Sequence, residues 1–184
     1  MTDKTSRVEK KILPNGLTIY HEFDRKASLV EVSAIIHAGA KDEYVPGVAH
    51  FVEHIVTTNT PGKKKDSLFF LSDTSSEDTQ VFFDFSFTDY VATVYGFSLT
   101  PGNQEVFEQA FALFERRLFR SSMSESLEGH VETIMSEIGA MSEKLFPNTV
   151  STHLAASVGA GSWLEARPFV RGKKEDIPSI GADD

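Results

Sequence analysis

The sequence predicts an α+β fold: a two-layer sandwich of a mostly antiparallel sheet with helices packed on one face. Short β-branched and aromatic runs bounded by turn residues recur through its first hundred positions. Long stretches with apolar residues at helical spacing follow. Strands that largely precede helices, rather than alternating with them, favour this layering over a doubly wound sheet. A chain of 184 residues suits one domain, and 15 Phe against a single Trp supply the bulk of its core.

Lys10 to Glu22 reads as two short strands around Pro14-Asn15-Gly16, where Pro fixes φ and Asn and Gly tolerate the left-handed region. Leu29 to Ala38 is apolar and β-branched and reads as a central strand ended by Gly39 and Lys41-Asp42-Glu43. Gly47 to Thr57 has a helical stripe of Val48, Phe51, Val52, Ile55 and Val56. Leu68 to Leu71 reads as the end of a short helix after a polar loop containing Lys63-Lys64-Lys65. Gln80 to Thr88 and Val91 to Leu99 read as strands with a short join, open to antiparallel pairing or to one bent strand. Pro101-Gly102-Asn103 starts a long helix with Val106, Phe107, Ala110, Phe111, Leu113, Phe114 and Leu118 on its apolar face. Ser124 to Leu145 is a second, through Leu127, Val131, Ile134, Met135, Ile138 and Met141, and Thr149 to Val158 resumes as helix.

A net charge of -9 argues against nucleic acid or an anionic membrane surface as partner, since both select Lys and Arg excess. With no cysteine, a metal site must use His, Asp and Glu. The polar N-terminal stretch and the lack of an apolar run near ~20 residues lead us to expect a cytoplasmic or organelle-matrix protein without a membrane span.

The chemistry concentrates at His50-Phe51-Val52-Glu53-His54. Residues four apart share a helix face, so His50 and His54 can bind one metal ion, off the apolar stripe. Zinc held by two His and one carboxylate keeps a fourth position for water, whose pKa it lowers. Glu53, close to that water but off the metal, is the natural general base. The competing reading is a solvated polar helix face. For a third ligand the second long helix offers Glu128, His130, Glu132 and Glu137. His130 and Glu137 are two turns apart and share a face, which prefers Glu137 among the carboxylates without excluding the others. His21, His37 and His153 are isolated and read as surface or satisfied histidines; Trp163 reads as an anchor for the tail.

The motif is the inverzincin signature, and the chain resembles the pitrilysin / insulin-degrading-enzyme family, which includes the mitochondrial processing peptidases. The resemblance rests on Leu13-Pro14-Asn15-Gly16-Leu17, the run from Ala38 through Glu43 and Gly47 to His54, Thr93-Val94-Tyr95, Ser136-Glu137-Ile138, and Arg167-Pro168-Phe169 with Gly172 and Glu175-Asp176-Ile177. It implies a zinc endopeptidase domain acting on unfolded peptides, with His50, His54 and Glu137 as zinc ligands and Glu53 as general base. His130 falls where the family often has a supporting Glu, and is expected to orient the site from behind the ligands. Phe85-Ser86-Phe87-Thr88 matches the N-A-x-T edge strand that holds substrate by strand addition, but departs from it: only Thr88 and the apolar Phe87 remain. The resemblance also implies a domain over residues 1–184 without the family's closing helix and strand, and a partner: a second copy or a second peptidase-like domain or subunit. The alternative is a non-catalytic or partner-dependent scaffold subunit of the same family.

Overall fold

The structure, a computed structural model, describes residues 6–58, 82–121, 127–143 and 170–181. The helical end expected at Leu68 to Leu71, the helix from Thr149 to Val158, Lys63-Lys64-Lys65, His153, Trp163 and Arg167-Pro168-Phe169 lie outside them, as do the side chains of Glu128 and Met141.

Strands β1 (Ser6–Ile12) and β2 (Thr18–Asp24) form an antiparallel hairpin. At its tip Gly16 takes φ +88°, and the Asn15 side chain accepts the Leu17 amide at 3.1 Å. Strands β3 (Val30–Ile36), β4 (Phe82–Thr88) and β5 (Thr93–Leu99) form a second antiparallel sheet in the order β3-β5-β4. Among the described residues the sheet layer is therefore two sheets. Among the described residues β3 lies at an edge, not at the centre where its apolar sequence had put it; β5 is central, and even its Gly96 and Ser98 are buried.

Three helices complete the described fold: α1 (Val48–Thr58), α2 (Gln104–Arg120) and α3 (Leu127–Glu143). The Asn103 side chain caps α2 by accepting the Val106 amide at 3.1 Å, as its position after Pro101-Gly102 suggests. Helix α2 lays Ala110 and Phe114 on Tyr95, Phe97 and Leu99 of β5, with Val30, Val32 and Ala34 of β3 alongside. A second cluster joins Phe51 and Ile55 of α1 to Ile134 of α3 and to Ile177 and Ile180 near the C-terminus. Helix α1 thus sits between sheet and α3, which brings its polar residues against both. No helix among the described residues is long and apolar enough to cross a membrane.

Strand β4 inverts the usual pattern. Its register with β5 pairs Asp84 with Phe97, Ser86 with Tyr95 and Thr88 with Thr93, so these polar residues share the helix-facing side of the sheet. Asp84 forms an ion pair with Arg117, a buried residue of α2. Phe85 alternates to the other side, where its ring lies against Gly96, and Phe87 is half exposed. Polar side chains are tolerated inside because α1 and α2 supply charged partners for them.

Candidate metal centre

Helix α1 begins with backbone amides that have no partner within the helix. Glu43 fills that gap: its carboxylate accepts the Gly47 and Ala49 amides, both at 2.8 Å. Burial raises the Glu43 pKa, and those two amide bonds oppose the shift. Just upstream, Ala40 and Lys41 donate their amides to Asp89 and Tyr90 in the β4–β5 turn, so the run before α1 fixes the helix start to the sheet.

One turn into α1, His50 and His54 project towards α3. Their Nε2 atoms are 3.2 Å apart, and Glu137 Oε2 lies 3.2 Å from His54 Nε2 and 3.6 Å from His50 Nε2. Tetrahedral zinc with ligand bonds of about 2.0–2.1 Å separates its ligand atoms by about 3.3 Å. The three edges match that spacing. As a hydrogen-bonded trio the arrangement is poor, because each imidazole Nε2 has at most one hydrogen and can serve one corner only. Among the described residues, His50, His54 and Glu137 are the group of His and carboxylates positioned to hold a metal ion.

The surroundings favour the metal-binding forms of these groups. His50 is almost fully buried, and burial pushes its pKa below the ordinary value, against the opposing pull of Glu137. The shift favours the neutral form that a ligand needs. The His50 Nδ1 lies 3.4 Å from the Arg171 carbonyl, a contact that places the hydrogen on Nδ1 and the lone pair on Nε2. Glu137 divides its oxygens: Oε2 faces the histidines, and Oε1 accepts from Arg171 Nε at 3.3 Å. Arg171 thus orients two of the three candidate ligands. The sequence reading missed it, and nothing in its local pattern marks it beyond its place directly before Gly172. Replacing it with Gln is expected to weaken metal affinity about tenfold, the usual scale for a residue behind the ligands. Competition against a chelator measures this, and an unchanged affinity would remove Arg171 from the site.

Glu53, which is not one of the clustered ligands, turns towards the sheet. It is buried, and its two oxygens accept from Ser86 Oγ and Thr88 Oγ1, each at 2.7 Å. His130 is also buried, edge-on to the Phe51 ring with centroids 6.3 Å apart, and is not one of the clustered ligands. Burial and the charge of nearby His54 both lower its pKa. Phe85 and Phe87 do not join this cluster, since they alternate to the outer side of β4.

The family model for insulinase, peptidase family M16, matches residues 18–165. The chain belongs to this family. No match is found among curated proteins. Solved structures with the same fold include an M16-like peptidase from Alicyclobacillus acidocaldarius (TM-score 0.75, 16% identity, 97% of this chain and 41% of that one). The periplasmic protease PqqL from Escherichia coli gives a TM-score of 0.72 at 21% identity over 98% of this chain and 20% of its own. A peptidase M16 inactive domain from Pseudomonas fluorescens gives 0.72 at 16% identity over 95% of this chain and 41% of its own. The chain therefore spans well under half the length of these relatives, and one of them is described as inactive.

Proposed function

We propose that the chain is a zinc-dependent endopeptidase domain that hydrolyses unfolded peptides. The observation that carries this reading is the separation of roles on α1: His50 and His54 converge with Glu137, while the intervening Glu53 stays off the cluster and is held by the sheet. Zinc, when bound there, supplies Lewis acidity that polarises a carbonyl and makes water acidic at neutral pH. His50, His54 and Glu137 would hold it, Arg171 would fix the orientation of His50 and Glu137, and Glu53 would take the proton from the attacking water as general base. Phe85 to Thr88 lie in β4, which pairs with β5 and stands at one end of the strand order among the described residues. A peptide adding there would use backbone hydrogen bonds, which require no particular side chain. We assign His130 a supporting role behind His54, through its burial beside Phe51.

The proposed partner is a second copy or a second peptidase-like domain. The hairpin β1–β2 supports this, with Val8, Ile12, Ile19, Tyr20 and Phe23 all exposed. The same exposed surface and the departure of β4 from the N-A-x-T pattern favour the second reading, a partner-dependent scaffold subunit. The complete set of His50, Glu53, His54 and Glu137 weighs against that alternative.

Zinc content after dialysis, together with hydrolysis of an unfolded peptide, tests the proposal in the wild type and in Glu137→Gln. We expect equimolar zinc in the wild type and a loss of affinity by at least about tenfold in the variant, since a neutral amide replaces a charged ligand. Absence of zinc from the reconstituted wild type would refute the metal reading. Zinc without hydrolysis would favour the scaffold.

A further inference from the structure

We infer that Ser86 and Thr88 are positioning residues for Glu53, so that the strand proposed to receive the peptide also aligns the proposed general base. This rests on the role assigned to Glu53 above and extends it to β4.

The geometry is specific. Ser86 and Thr88 are two apart on one strand and so share a face, and that face meets α1. Each hydroxyl donates to a different oxygen of the same carboxylate, at 2.7 Å in both cases. These are short, charge-assisted bonds, stronger than bonds between neutral groups. A carboxylate has about four lone-pair sites, so the two bonds leave roughly one site on each oxygen for a proton from water. They also fix the plane of the carboxylate, which a helix alone leaves free to turn about its terminal torsion. Glu53 is only 8% exposed, so bulk water cannot take over the task of holding it. Ser86 is where this chain departs most usefully from the N-A-x-T pattern: the small apolar residue of that pattern has no hydroxyl to donate. Because the donors project from β4, a peptide that pairs with the strand and steadies it steadies Glu53 as well.

The experiment compares wild type, Ser86→Ala, Ser86→Thr and Thr88→Val in zinc-loaded form for kcat and KM, and in metal-free form for affinity towards the same peptide. Unfolding in denaturant is measured for Ser86→Ala, Glu53→Ala and the double variant. Ser86→Ala is expected to lower kcat about tenfold, the scale of one hydrogen bond to a charged group. KM, metal-free peptide affinity and zinc content should stay within about twofold, and Ser86→Thr should restore most of kcat. The unfolding constants should show coupling between Ser86 and Glu53 of at least about threefold. Absence of coupling would overturn the inference whatever the activity. So would an unchanged kcat in Ser86→Ala, or a fall in kcat that Thr does not rescue or that peptide affinity matches. Coupling in a wild type without hydrolysis would support the contact as a device that holds Glu53, while refuting the endopeptidase reading separately.

Discussion

Glu53→Gln is expected to lower kcat by about 10²–10⁴-fold, the range for loss of a general base, while zinc stays equimolar with the chain. The two halves of this result come from separate contacts. Zinc retention is expected because Glu53 is not among the clustered ligands. The fold should also hold. Gln is nearly isosteric with Glu, and its carbonyl oxygen can still accept from one hydroxyl. Its amide must then face the other hydroxyl, which can rotate from donor to acceptor. What the amide cannot do is take a proton at neutral pH. Measured zinc content, thermal unfolding and single-turnover hydrolysis distinguish these effects. Turnover within tenfold of wild type would remove Glu53 as the base, and loss of zinc in this variant would show that it contributes to the metal site.

The helices were legible because their packing follows local periodicity. The apolar positions Leu127, Val131, Ile134, Met135 and Ile138 on α3 all join or flank the core cluster shared with α1. The turn chemistry of Pro14-Asn15-Gly16 and Pro101-Gly102-Asn103 also placed a hairpin tip and a helix start. The order of strands was less legible. Val30 to Ile36 reads as a central strand by composition, yet centrality depends on which strands arrive on either side, and those pairings join residues about sixty positions apart. For β4, simple alternation would turn its phenylalanines towards the helices. The structure turns Asp84, Ser86 and Thr88 inward instead, because Arg117 and Glu53 wait on the opposing helices. A sequence window contains one partner of each such pair and not the other.

The same limit applies to the candidate centre. The spacing of His50 and His54 follows from one helix, and Glu137 could be preferred by helix geometry. The contributions of Arg171 and of the β4 hydroxyls depend on contacts between distant segments: Arg171 reaches His50 across 121 positions. Such a contact leaves no local periodicity to read.

Gly47→Ala is expected to destabilise the fold by about 2–4 kcal/mol, through backbone strain and overpacking together. Gly47 has φ +101°, a conformation that L side chains rarely adopt. An added Cβ would lie 2.8 Å from Gly172 Cα and 2.7 Å from Ile177 Cδ1. Gly172 is in the reciprocal position, with φ +81° and a Cβ that would meet Gly47 Cα at 2.8 Å. The two glycines are packed back to back, and their contact joins the start of α1 to the segment that carries Arg171. Pushing them apart should therefore move the Arg171 carbonyl away from His50 and its guanidinium away from Glu137. Gly47→Ala should lower Tm by about 5–15 °C for a chain of this size and weaken zinc binding in the same variant. Gly172→Ala should do the same, and the double variant should lose less than the sum, since either methyl alone already opens the contact. Wild-type Tm in Gly47→Ala would show that the segments do not meet here. Reduced stability with unchanged zinc affinity would show that this contact supports the core without aligning the metal ligands.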